Sequence, residues 1–183
     1  MKLIIGLGNP EAQYHHTRHN TGFILLDAYF DSHPTKSCQV RTPKPVSLRY
    51  QSGALFLKPQ DSMNLSGDSV GAVVRTLDLK PEDLLLIHDD LDFALGNYKL
   101  KQGGGSGRHN GVQSVIDALG TTHFSRFRVG IGRPTDNTTT IDWVLSDFSY
   151  KESQYLCELC RLSNAAIETF ILKGPQALQE FNQ

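Results

Sequence analysis

The chain of 183 residues has three cysteines, a formal net charge of −1 and no long apolar run. Each shortage excludes something. Cys38, Cys157 and Cys160 are too few for a disulfide framework, and a reducing cytoplasm suits that count. Counting an internal glycine, the apolar stretches reach only five residues, as at Leu3–Leu7. A bilayer-crossing helix needs roughly 20 such residues, so no membrane partner is expected. Met1-Lys2-Leu3-Ile4-Ile5-Gly6 enters a strand-like segment directly, with no signal-peptide pattern. A charge near zero gives no global attraction to a polyanion. With 39% apolar and 20% charged residues the chain is not disordered. At ~100–200 residues per domain, its length predicts one domain over residues 1–183. A domain of that size buries ~70% of the surface its unfolded chain exposes.

The charges that are present are sorted. Glu82, Asp83, Asp89, Asp90 and Asp92 fall within residues 81–92, which hold no Lys or Arg. Residues 96–133 hold Lys99, Lys101, Arg108, Arg126, Arg128 and Arg133 against the single acid Asp117. Such a segment is either a polyanion footprint or a solvated face whose charges happen to cluster.

Apolar periodicity outlines an α/β fold. Lys2–Leu7 reads as a buried strand and Thr21–Phe30 as a helix stopping before Pro34. Val46–Tyr50 and Ala54–Leu57 flank Ser52-Gly53, a hairpin signal. Val70, Val73, Val74 and Leu77 mark one amphipathic helix, and Val112, Val115, Ile116 and Leu119 another, with Gly120 as its stop. Leu84–His88 reads as a buried strand. Arg126–Ile131 alternates, predicting a half-buried strand with Arg126 and Arg128 on its open face. Ser149 and Glu152 form a capping box before a long helix striped by Leu156, Leu159, Ile167 and Phe170, which ends at Gly174-Pro175. Cys157 and Cys160 read as ordinary helix residues. The pattern predicts a single domain with a mixed, twisted β-sheet flanked by helices.

Five segments carry possible chemistry. Gly6-Leu7-Gly8-Asn9-Pro10 resembles a dinucleotide fingerprint but lacks the third glycine, and Pro10 sits where a helix should open; it still presents Asn9 at a strand's carboxyl end. Tyr14-His15-His16-Thr17-Arg18-His19-Asn20 groups three histidines without an acidic ligand or zinc spacing, so a general base or surface histidines fit better than a metal site. His88-Asp89-Asp90-Leu91-Asp92 ends a buried strand in three carboxylates: a divalent-ion site, a histidine's orienter or an Asx turn. Met63-Asn64-Leu65-Ser66-Gly67 offers Asn64 or Ser66 as a helix N-cap. Gly103-Gly104-Gly105-Ser106-Gly107-Arg108-His109-Asn110-Gly111 opens a helix; it is either a flexible surface loop or a loop whose backbone approaches a ligand. The dipeptide His-Asn occurs twice, at His19-Asn20 and His109-Asn110, each near a helix start.

Taken together, these blocks resemble the bacterial-type peptidyl-tRNA hydrolase family. The resemblance runs in family order through Gly6–Pro10, Tyr14, Thr17–Asn20, Gly22, Lys58-Pro59, Met63–Gly67, His88–Asp92, Gly103–Gly105, His109–Gly111 and Arg128–Gly132. It implies hydrolysis of the ester between a peptide and the 3′ ribose of tRNA, by a cytoplasmic monomer without metal or cofactor. It maps the catalytic pair to His19 and Asp89, substrate binding to Asn9, Tyr14, Asn64 and Asn110, and tRNA-phosphate binding to Lys101 and Arg128. The implied partner is peptidyl-tRNA, held by its acceptor stem and CCA end. The sequence departs from the family pattern at Glu11 and Arg108, where glycine is usual, at Ser62, where an aromatic is usual, and at Asp90, where glutamate is usual. The residues alone also admit a nucleotide-dependent enzyme using the Gly6–Pro10 turn, or a non-catalytic RNA-binding module using the basic segment.

Overall fold

The computed structural model describes residues 1–43 and 46–181. Its elements in chain order are β1 (Lys2–Gly6), α1 (Thr21–Ser32), β2 (Lys36–Cys38), β3 (Ser47–Gln51), β4 (Ala54–Lys58), α2 (Ser66–Thr76), β5 (Leu84–Asp90), β6 (Tyr98–Gln102), α3 (Asn110–Leu119), β7 (Ser125–Gly130), α4 (Thr140–Val144) and α5 (Tyr150–Lys173). Among the described residues the strands form one seven-stranded sheet in the order β2-β3-β4-β1-β5-β7-β6. β4, β1, β5 and β7 run parallel; β2, β3 and β6 pair antiparallel at the two sides. The sheet is therefore mixed, as the hairpin signal implied. Ser52 and Gly53 both hold positive φ, 49° and 83°, the turn whose twist matches paired strands.

The central strands are apolar on both faces because helices cover both. Ile4, Phe56, Leu85, Ile87, Phe127 and Val129 pack under α1 and α5 through Leu25, Leu26, Leu159, Ile167 and Phe170. On the other face Leu3, Ile5, Leu57 and Leu86 pack under α2 and α3 through Val70, Val73, Val112 and Val115. Fully burying one such side chain contributes about 1.5–3 kcal/mol. The long α5 begins at the capping box of Ser149 and Glu152, and α3 stops at Gly120 in the left-handed region with φ 66°.

Two features differ from the sequence reading. Neither Asn64 nor Ser66 N-caps α2. The turn Met63–Leu65 runs straight into the helix, Ser66 is its first residue, and the Ser66 hydroxyl donates to the Met63 carbonyl at 2.9 Å. A free N–H of that first turn, on Gly67, instead donates to Ser114 Oγ of α3 at 2.9 Å. Only a residue without a Cβ permits this contact, since one on Gly67 would strike the Ser114 carbonyl. The second difference concerns β7. Arg126 is buried rather than on an open face, because the glycine loop folds over it and Gly103 and Gly105 accept its guanidinium protons.

The topology places the site. β1 lies between β4 and β5, while α1 and α2 cover opposite faces, so the chain leaves the sheet in opposite senses at this point. Open α/β sheets bind ligands where the strand order reverses, at the carboxyl ends. Asn9 follows the end of β1, and Asp89 lies at the end of β5. The start of α1 is pressed against them: a Cβ on Gly22 would meet the backbone of Leu7 and the Ile87 carbonyl.

Candidate active site

Asp89 is the centre. Its side chain is 3% exposed and accepts from two imidazoles. His19 Nδ1 lies 3.1 and 3.0 Å from Oδ1 and Oδ2, and His109 Nε2 lies 2.9 Å from Oδ1. Burial opposes the Asp89 charge, but His19 and His109 together outweigh it and hold the carboxyl well below the usual carboxylate range. Burial alone would lower the pKa of His19; the Asp89 charge and hydrogen bond reverse that and raise it above 6.5.

The hydrogen bonds select the tautomers. The Val112 N–H donates to His109 Nδ1 at 3.3 Å, so the ring's proton lies on Nε2, facing Asp89, and the imidazole doubles as the N-cap of α3. In the same way His19 carries its proton on Nδ1 toward Asp89, leaving Nε2 as a proton acceptor. The two rings stand 4.8 Å apart between centroids. His88, fully buried beneath them, is pushed well below 6.5 by burial and stays neutral; its Nδ1 donates to the Asp89 carbonyl at 2.7 Å.

His19 sits on the single turn Arg18–Asn20. Its neighbours fix that turn. Arg18 is buried, stacks 3.9 Å from the Trp143 ring, donates twice to Glu152 at 2.9 Å and reaches the Asp147 carbonyl at 2.6 Å. It thereby ties the His19 turn to the segment joining α4 and α5. Asn20, also buried, clamps the Asn9 backbone: its Oδ1 accepts from Asn9 N and its Nδ2 donates to Asn9 O, both at 2.8 Å. Asn9 Oδ1 in turn accepts from Met63 N at 2.9 Å. This arrangement counts against a nucleotide cradle at Gly6–Pro10. The N–H groups of Leu7 and Asn9 already donate to Ile87 and Asn20 and have no proton for a phosphate.

His19 and Asp89 border an open cavity of about 140 Å³. Leu91, Ile141 and Val144 give it an apolar wall, and Arg108, His109 and Asn110 lie along its edge. Asn110 also lines a groove between α2 and α3 that contains Asn64, Asp68 and Asp117. Asn110 thus borders both hollows, Asn64 only the groove, and Asn9 is linked to the His19 turn through Asn20. Tyr14, like Asn9, lines neither hollow, and its carbonyl accepts from the Thr17 hydroxyl at 2.8 Å. His15 and His16 are exposed and line a separate hollow along α1. Asp90 fulfils a different reading of its block, since Oδ1 accepts from Asp92 N in an Asx turn while Oδ2 pairs with Arg128 Nε at 2.7 Å.

The two cations expected to meet phosphate lie on one sheet face. Lys101 stands opposite Arg126, and Lys99 opposite Arg128. Lys101 is exposed, whereas Arg128 is half-buried, paired with Asp90 and 4.8 Å from the Phe93 ring.

The ligand atoms of His19, Asp89 and His109 fall within 4.8 Å of one another, close enough to hold an ion. Their protons argue otherwise. Asp89 already receives an N–H from each ring, and His109 Nδ1 is engaged by the backbone, so an ion would have to displace hydrogen bonds that fix the site. His109 and Asn20 are site residues that the sequence reading did not assign. The repeated His-Asn dipeptide was the signal for both.

A buried carboxylate orienting a histidine at the carboxyl edge of a mixed α/β sheet is an arrangement that can serve general-base chemistry on water. Comparison with known proteins narrows the class. Residues 3–183 match the peptidyl-tRNA hydrolase family, and the chain belongs to that family. It is 40% identical to a peptidyl-tRNA hydrolase of Oceanobacillus iheyensis, over 100% of both chains. It is 43% identical to one of Dichelobacter nodosus, over 96% of this chain and 95% of that one. The fold superposes on the crystal structure of peptidyl-tRNA hydrolase from Acinetobacter baumannii with a TM-score of 0.88, 29% identity, and coverage of 100% and 94% of the two chains.

Proposed function

We propose that the chain acts as one domain that hydrolyses the ester between a peptide, or an N-blocked aminoacyl group, and the 3′ ribose of tRNA. Its role is then to recover tRNA from peptides released early by the ribosome. The observation that carries the mechanism is the His19–Asp89 pair at the edge of an open cavity. His19 Nε2 takes a proton from water as the oxygen attacks the ester carbonyl. Asp89 holds the required tautomer and stabilises the imidazolium. Collapse of the tetrahedral intermediate breaks the bond to the ribose oxygen, which receives the proton back from His19. The products are a free 3′-hydroxyl and the peptide acid. An ester is a better electrophile than an amide, so an activated water suffices.

Three asparagines fit the peptide end. An amide donates and accepts, so it can hold a peptide backbone whatever the side chains. With Oδ1 of Asn9 committed to Met63, its Nδ2 is the group left for the acyl carbonyl or the oxyanion. Lys101 and Arg128 fit the phosphates of the acceptor stem, and the single-stranded CCA end leaves base edges and sugar hydroxyls free to be read. On this reading the enzyme works as a cytoplasmic monomer. Among the described residues no helix is long and apolar enough to cross a membrane.

The test is incubation with N-acetyl-aminoacyl-tRNA, followed by assay of released acid-soluble amino acid. Release should persist after treatment with EDTA once magnesium is restored to refold the tRNA. Absence of release, or a requirement for a trace metal on a small ester, would contradict the reading.

A further inference from the structure

Arg108 has φ of +66°. Glycine adopts that conformation without cost, whereas an L side chain there is uncommon and strained. Such strain persists only where the surroundings hold it, and they do here. Arg126 draws in the carbonyls of Gly103 and Gly105, and His109 N donates to the Ser106 carbonyl at 3.1 Å. The loop is thus tied down on both sides of a residue whose own side chain is exposed and borders the cavity of His19.

The charges around Arg108 are already balanced. Asp89 is engaged by two imidazoles and Asp90 by Arg128. The Arg108 guanidinium has no hydrogen bond, ion pair or ring partner among the described residues. Beyond Asn110 the sign changes: the α2–α3 groove is bordered by the carboxylate of Asp117, and its lining residues include no cation among those described. A polyanion approaching the reacting ester is therefore drawn to the Arg108 side and repelled from the groove.

We propose that Arg108 binds the phosphodiester nearest the scissile ester, fixing the 3′ end of tRNA over His19 and leaving the acidic groove to the peptide. This rests on the peptidyl-tRNA reading above and adds a phosphate contact beside the reacting centre, separate from Lys101 and Arg128. Arg108 is a positioning residue. It touches no reacting atom, so its effect belongs in KM rather than kcat.

The experiment compares Arg108→Gly and Arg108→Lys with the wild type on three N-acetyl-aminoacyl esters: of tRNA, of CpCpA, and of adenosine, which has no phosphate. Glycine relaxes the backbone, so Arg108→Gly should fold, and a thermal melt checks this. Its KM should rise roughly 3-fold to 10-fold on the CpCpA and tRNA esters, with kcat held and the salt slope of log KM reduced by about 1. The loss on the CpCpA ester should exceed that on the adenosine ester by at least about threefold, and Arg108→Lys should recover part of it. An equal loss on the adenosine ester, or an unchanged KM on the CpCpA ester, would overturn the proposal. If wild-type protein released the acyl group from none of the three, the peptidyl-tRNA reading would fall first, and the ligand named here with it.

Discussion

His109 and Asp89 share one hydrogen bond of 2.9 Å, and through it the start of α3 is fastened to the end of β5. The same ring caps the helix, so one imidazole positions both the carboxylate and the glycine loop that precedes it. Replacing His109 by alanine removes a donor from Asp89 and the N-cap of α3. A lost cap costs about 1 kcal/mol of stability. With only His19 left to balance it, the Asp89 charge should raise the pKa of His19 further. The acidic limb of kcat/KM should therefore move to higher pH in His109→Ala. A pH–rate profile superimposable on the wild type would show that His109 serves the helix alone.

The pH dependence of the wild type has a definite sign. Nε2 must be unprotonated to act as a base, and the pKa of His19 is raised above 6.5. Activity should fall below a midpoint higher than that of a free histidine. Stability follows the opposite limb. The raised pKa of His19 stabilises the fold below 6.5 and is lost as pH rises through the folded value. The depressed pKa of Asp89 stabilises it above 3.8 and is lost as pH falls through the folded value. The pair contributes most between these limits. Asp89→Asn should cost more stability in denaturant at about pH 5.5 than at about pH 9. Equal costs at both would deny the coupling.

Arg18 is expected to be structural. Removing one partner of a buried ion pair typically costs about 3–5 kcal/mol, because the other is left without compensation. Glu152 is only partly buried, with 23% of its side chain exposed, so Arg18→Met should fall at the lower end of that range. A melt should detect it, and kcat should fall with it if the turn bearing His19 loosens. A variant as stable as wild type would mean that the stacking on Trp143 holds the segment by itself.

Much of this architecture was legible in the sequence. Strict apolar periodicity gave α2, α3, β7 and the α5 stripe, since one element's own face determines each. The His19–Asp89 pairing was legible because both motifs form contiguous blocks. Contacts between distant segments were not. The Gly67 N–H is satisfied by Ser114, and no local spacing announces that. Arg126 alternates like an exposed residue but is buried by a loop some twenty residues earlier in the chain. Asn9 and Tyr14 belong to such blocks too, yet neither lines either hollow.

Lys101 and Arg128 differ in a way that alters their expected effects. Lys101→Ala removes an exposed charge, so KM for tRNA should rise while kcat and stability hold. Arg128→Ala also leaves Asp90 without its ion-pair partner, and should add a stability loss to the same rise in KM. Together they should reduce the salt slope by about 1–2, with little change on an adenosine ester. If the double variant lost as much on that small ester as on tRNA, the cations would serve the fold rather than the phosphates.

The central claim is that His19, oriented by Asp89, activates water. The most direct measurement is kcat for His19→Ala on saturating N-acetyl-aminoacyl-tRNA, with tRNA affinity measured separately. A positioned general base contributes about 10²–10⁴-fold, so kcat should fall by that factor while affinity changes little. Asp89→Asn, which keeps the base but misorients it, should lose less. A His19→Ala enzyme that turned over near the wild-type rate would contradict the account.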